Sequence, residues 1–274
     1  MNDERKGLAA FNMISDAIKS RDMVVRLAKN DFKTKYAGSF LGIVWAFVQP
    51  VVTILLYWFV FSIGFRSGNV GDYPFVLWLT AGLVPWFFFQ DAWNGATTSM
   101  IEYNFLVKKV VFNVGILPVI KVIAALFVNA FFTVFAIFMF TVMGYFPGIH
   151  IIQLVYVLFC IIALALALSY ITSAVVVFIR DVSHFLTVFL QMLMWLTPIM
   201  WNISMTDGIP WLKFLLHANP VFYIVQCYRD AMFGGKWFFE HGWWTLYFWA
   251  FTLIFMIIGG HVFKKLRPHF ADVL

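Results

Sequence analysis

The sequence predicts an all-α membrane protein with six transmembrane helices in a single domain, residues 1–274. Three observations carry that prediction. Hydrophobic residues make up 63% of the 274 and charged residues 12%, whereas a soluble domain sits near 45–50% and about 25%. So much apolar surface calls for lipid as its solvent. The apolar residues fall in long continuous runs near the roughly 20 residues that a helix needs to cross a bilayer, without the alternation of a lipid-facing barrel strand. Aromatic residues reach 20%, with 34 Phe and 12 Trp, which suits interfacial belts and an aromatic-lined interior.

Residues 1–42 predict an amphipathic interfacial segment. Leu8, Phe11, Ile14 and Ile18 recur at helical spacing, and Lys19, Arg21, Arg26, Lys29, Lys33 and Lys35 supply a basic face. Such a helix lies along a membrane surface with its cations near anionic headgroups, or stands as a solvated helix. More than forty mixed residues precede the first apolar run, so no cleavable signal peptide is expected. The six crossings are expected at about 43–65, 74–96, 115–143, 151–178, 185–204 and 243–263, followed by a tail at 264–274. Fifteen of the 19 Lys and Arg residues lie on one side of that arrangement. Arg66, Lys213, Arg229 and Lys236 lie on the other. The positive-inside rule therefore puts both termini in the cytosol.

Several stretches hold polar groups where apolar ones would do. In the first crossing Trp45, Gln49 and Thr53 share a face at i, i+4 and i+8, and in the fifth Thr187, Gln191, Met194 and Trp195 do the same ahead of Pro198. Two such stripes line a pathway or act as glue between helices. Asp91 lies within the second crossing, where a carboxylate needs a partner or water. In the fourth crossing Ala163, Ala165, Ala167 and Ser169 form small-residue faces for close packing. The loop Glu102–Asn113 predicts a short amphipathic helix on the basic side, which fits a groove on a cytosolic protein or is a plain loop. Between 205 and 242, Asp207-Gly208-Ile209-Pro210 and Asn219-Pro220 flank pieces too short to span. They read as re-entrant or interfacial helices forming an outer gate, or as a simple loop.

The chain lacks a phosphate loop, a zinc-protease motif and a nucleophile elbow. Its six His residues are scattered, so no metal site is expected, and Cys160 and Cys227 give no disulfide framework. ATP-driven work would need a partner subunit. The rival classes are an ion-coupled secondary transporter, for which Asp91 is the one candidate carboxylate, and a membrane transferase, whose clustered acid, base or metal set is missing.

The run Val25–Tyr36 leading into Ser39–Trp45 and Gln49-Pro50 resembles the entry segment of permease subunits of ABC-2 type polysaccharide exporters. Leu106–Phe112 resembles their coupling helix, Ile179-Arg180-Asp181-Val182 their second cytosolic turn, and Pro198–Trp201 with Asn219-Pro220 the segment before the last crossing. Within that family Tyr57–Phe61, Gly64–Gly68, Pro85–Phe88, Asn219–Tyr223 and Lys236–Phe239 look closest to wall teichoic acid exporters, with O-antigen permeases sharing the general pattern. The resemblance implies two copies of this chain with two copies of a cytosolic ABC ATPase, which would bring ATP and Mg2+, since the chain itself would carry no cofactor. The cargo would be an undecaprenyl-diphosphate-linked, anionic glycopolymer, and membrane lipids but no nucleic acid would be bound. The residue patterns and the resemblance together imply roles. Tyr103, Asn104, Phe105, Leu106, Val107, Lys108, Lys109 and Phe112, with Arg180 and Asp181, would couple to the ATPase. Arg26, Lys29, Lys33, Lys35 and Tyr36 would form the substrate entrance. Trp45, Gln49, Thr53, Asp91, Thr187, Gln191 and Trp195 would line the pathway, and Pro198, Trp201, Asn219 and Pro220 would form the outer gate.

Overall fold

The computed structural model describes residues 9–66, 68–108, 112–206 and 208–274. Leu8, Ser67, Lys109 and Asp207, which carry expectations above, lie outside these. The N-terminal segment forms two helices rather than one, α1 (Ala9–Lys19) and α2 (Arg21–Lys35). Gln49 lies on α3 (Trp45–Trp58), which runs on from a 3-10 turn at Gly42 and ends in a π-turn, Phe59–Gly64. Then come α4 (Phe75–Glu102) and α5 (Asn104–Val107), a single turn where a longer helix was expected. α6 (Leu117–Val142), α7 (Gln153–Val175) and α8 (Asp181–Leu196) follow. α9 (Pro210–His217) and α10 (Pro220–Phe233) are short, and α11 (Trp243–Leu266) leads into α12 (Phe270–Val273).

Among the described residues five stretches are long and apolar enough to cross a membrane: Gly42–Gly64, Phe75–Glu102, Val114–Val142, Gly148–Val175 and Trp243–Val273. The fifth expected crossing, 185–204, departs from this. Its helix is α8, 16 residues, about 24 Å at 1.5 Å per residue, short of a ~30 Å hydrocarbon core. Pro198 stops it, and the Thr197–Met200 stretch that follows is non-helical and buried. The expected tail at 264–274 is likewise not loose. α11 runs through Lys264 and Lys265, and Phe270 is buried against Phe263 with ring centroids 5.4 Å apart.

α4 is the spine of the bundle, packed most extensively against α6, then α7 and α10. The small residues of α7 let α11 come close. A Cβ on Gly259 would stand 2.9 Å from the Ala167 carbonyl oxygen, so the side-chain-free residue is required there. α1 and α2 pack on the end of the bundle where α4 and α11 finish and α6 begins. There Asn113 Nδ2 donates to Asp16 at 2.8 Å, while its Oδ1 accepts from Gly115 and caps the turn leading to α6. α10 sits at the opposite end. Its Asn219 N-cap accepts from Val221 N at 3.0 Å, with Pro220 at the first helical position, the preferred chemistry for a helix start. Its residues from Val221 to Val225 are buried between α4 and α7. It is a packed helix, not a surface loop.

Candidate functional site

Three of the four pathway residues expected from the first two crossings share one cavity with the fourth. Trp45, Gln49 and Thr53 of α3 face Asp91, Gln90, Asn94, Phe87 and Phe88 of α4 across a space of about 510 Å³, with Asn129 of α6 completing the wall. Aromatic faces and four amides surround it, with Asp91 and Lys35 at one end. The stripe expected on α8 does not join them. Leu186 and Leu190 turn inward against α4, and the 3.6-residue period then carries Thr187, Gln191 and Trp195 outward, where they are exposed. Met194 is the α8 side chain that lines the cavity.

Lys35 of the expected entrance does not present a free cation. Its Nζ donates to Asp91 Oδ1 at 2.5 Å, so the entrance lysine is the partner that the Asp91 carboxylate needs. Burial opposes the Lys35 charge, but the adjacent Asp91 outweighs it and holds the lysine above its ordinary range. The Tyr36 ring lies 5.8 Å from the ammonium. Arg26, Lys29 and Lys33 remain exposed along α2.

A second, smaller cavity of about 280 Å³ shares Lys35, Tyr36 and Asp91 with the first and adds Asp31, Glu102 and Lys121. Lys121 is buried and bridges Asp31 at 2.6 Å and Glu102 at 2.5 Å. Tyr103 Oη donates to the same Asp31 oxygen at 2.7 Å. Burial and the neighbouring Asp31 push the Tyr103 phenol upward, so it stays a donor. With three carboxylates against two lysines, this cavity is not basic inside, and the exposed Arg26, Lys29 and Lys33 lie outside it. The residues missed by sequence reading are Asp31, Glu102 and Lys121. The legible signal was Lys121, a cation four residues inside α6 in an apolar run.

In the expected coupling loop, Phe105 is exposed, whereas Leu106 and Phe112 pack partly against the chain's own core and Val107 is buried. Thus Phe105, with Asn104 and Lys108 beside it, is the prominent outward feature of that turn. Arg180 and Asp181 are exposed at the turn between α7 and α8.

At the opposite end one expected gate residue, Pro198, meets a buried arginine, while Asn219 and Trp201 bond elsewhere. Asn219 Nδ2 donates to Thr197 Oγ1 at 2.9 Å, and Trp201 Nε1 donates to the Trp195 carbonyl at 3.1 Å. Arg229, read from sequence as an outer-loop cation, is buried. Its guanidinium lies 3.6 Å from the Trp78 ring centroid and donates to the Pro198 and Ile199 carbonyls at 2.7 and 2.8 Å. It thereby supplies the hydrogen bonds that the proline break after α8 leaves unmade.

Among the described residues no three His, Cys, Asp or Glu side chains cluster as a metal site.

The family model described as ABC-2 type transporter matches residues 24–233. The O-antigen export system permease protein RfbA of Myxococcus xanthus is 24% identical over 266 residues, 96% of this chain and 99% of the relative. Two proteins of the same description from Klebsiella pneumoniae are 27% and 28% identical over 261 residues, each covering 92% of this chain and 95% of the relative. A helical membrane bundle matched end to end by these permeases leads to one conclusion: the chain belongs to the ABC-2 type transporter family.

Proposed function

We propose that this chain is the permease of an ATP-driven exporter that carries a lipid-linked polysaccharide of the O-antigen class from the cytosolic to the outer face of the plasma membrane. The observation that carries this reading is similarity to O-antigen export permeases over more than nine-tenths of the chain. The teichoic acid resemblance rests on short local runs, so the O-antigen class takes precedence. Pairing of Asp91 with Lys35 also speaks against a lone coupling carboxylate of the secondary-transport kind.

Two copies of the chain work with two copies of a cytosolic ABC ATPase, which binds ATP and Mg2+. The termini and the Tyr103–Phe112 turn face the cytosol, where fifteen of the 19 Lys and Arg residues fall. Phe105 enters a groove on the ATPase. The exposed Arg26, Lys29 and Lys33 attract the lipid diphosphate at the headgroup level, each for about 1 kcal/mol. Sugars then pass the aromatic and amide wall at Trp45, Gln49 and Asp91. Thr187, Gln191 and Trp195, poorly suited to lipid, face the second copy, and the break at Pro198 and Trp201 with Asn219 and Pro220 forms the outer gate.

The test is co-purification of the chain with its ATPase, followed by ATP hydrolysis and export in vesicles. A lipid-linked glycan should stimulate hydrolysis and appear inside inside-out vesicles. An ATPase complex that neither responds to such a glycan nor moves it would refute the proposal. Phe105→Asp should abolish the stimulation while the membrane fold persists.

A further inference from the structure

The buried charges beneath the cavity do more than hold helices together. Asp31 on α2 binds both Tyr103, at the foot of the exposed α5 turn, and Lys121 of α6. Lys35 lies four residues further along α2, on the same face, and pairs with Asp91 where the two cavities share a wall. One short helix is therefore tied at one point to the outward turn and at the next to the cavity.

The two ties differ in strength. The Lys121 and Asp31 side chains are 9% and 11% exposed, and a buried, hydrogen-bonded charge pair resists breaking because either partner left alone is stranded. The Lys35 and Asp91 side chains are 45% and 36% exposed. A part-exposed pair of this kind costs less to separate than a buried one, because solvent replaces part of what is lost.

We propose that Tyr103, Asp31 and Lys121 form a joint through which displacement of the α5 turn moves α2, and that the Lys35–Asp91 pair is the latch this movement opens, merging the two cavities. The inference rests on the reading that an ATPase engages the turn. Tyr103, Asp31 and Lys121 are positioning residues in it. Opening removes the barrier between the small charged cavity beside α2 and the larger aromatic one, so ATPase state sets access to the pathway wall.

The test uses the full complex with its ATPase in vesicles and reads nucleotide dependence, which a merely structural strut would not show. Thr34 and Gly95 line the small cavity from α2 and α4. A Cβ at Gly95 meets Lys121 carbons at an ordinary 3.9 Å, and the native Cys160 and Cys227 are buried. The Thr34→Cys, Gly95→Cys chain is treated with a short bifunctional thiol reagent, with and without trapping by ATP and vanadate. The latch predicts ready cross-linking without nucleotide and at least a fivefold lower rate in the trapped state. Tyr103→Phe, which removes one hydroxyl and no bulk, should erase that difference, as should Asp31→Asn. Equal cross-linking in both states, or a nucleotide effect that survives both substitutions, overturns the latch. Glycan export is measured separately on the same complex, so loss of the export reading and loss of the latch are distinct results.

Discussion

Two apolar spans stand in opposite situations. Of the most apolar stretch of Phe75–Glu102, 78% is buried within the chain; of Gly42–Gly64, 11% is. α4 is clasped by α6, α7 and α10, while α3 touches α4 along one side and leaves Leu55 and Leu56 exposed. In lipid a helix gains nothing from hiding apolar surface, so packing and polar contacts alone decide which helices are fixed. α4 has both, through Trp86, the Thr97 bond to Thr172 at 2.6 Å, and the ion pairs at its end. α3 has few. The difference separates a clasped spine from a wall held along one side, and the cavity lies between them.

The sharpest way to break this contrast is at the charged foot of the spine. Lys121→Ala strands Asp31 and Glu102 together and should cost about 3–5 kcal/mol, read as loss of stability in denaturant unfolding of the purified chain. A loss below about 1 kcal/mol would show that the cluster is solvated. Trp86→Ala, at a fully buried ring on α4, should cost about 3 kcal/mol by leaving a void. Gly82→Ala places a Cβ 2.8 Å from Arg229 Nη2 and 3.3 Å from the Ile199 carbonyl oxygen. It should cost about 1–3 kcal/mol by overpacking and loosen the break after α8. Leu55→Ala and Leu56→Ala on α3 should each stay within about 0.5 kcal/mol. A large loss there would mean α3 is held as firmly as α4.

Much of this was legible in the residues, and the failures have physical causes. The long runs reported their helices because the bilayer imposes one length on every spanning helix. The stripe of Trp45, Gln49 and Thr53 was readable because α3 keeps one periodicity and presents one polar face. The matching stripe on α8 is exposed in the single chain, since spacing shows which residues share a face but not which face turns inward. Leu186 and Leu190 settled that. The need of Asp91 for a partner was legible but the partner was not, because Lys35 is 56 residues away on a helix outside the spans. Arg229 looked like an outer cation because its role depends on carbonyls freed by Pro198, a tertiary need that no local pattern announces.

The central claim is that α3 is the wall along which the glycan travels. A photoreactive residue placed in turn at positions 49, 52, 53 and 56, in the complex exporting a radiolabelled lipid-linked glycan, tests it most directly. Gln49 and Thr53 line the cavity, whereas Val52 and Leu56 are exposed outside it. The account predicts ATP-dependent cross-links to glycan at 49 and 53 and background at 52 and 56. Equal labelling at all four positions, or none at 49 and 53 while export proceeds, would contradict it.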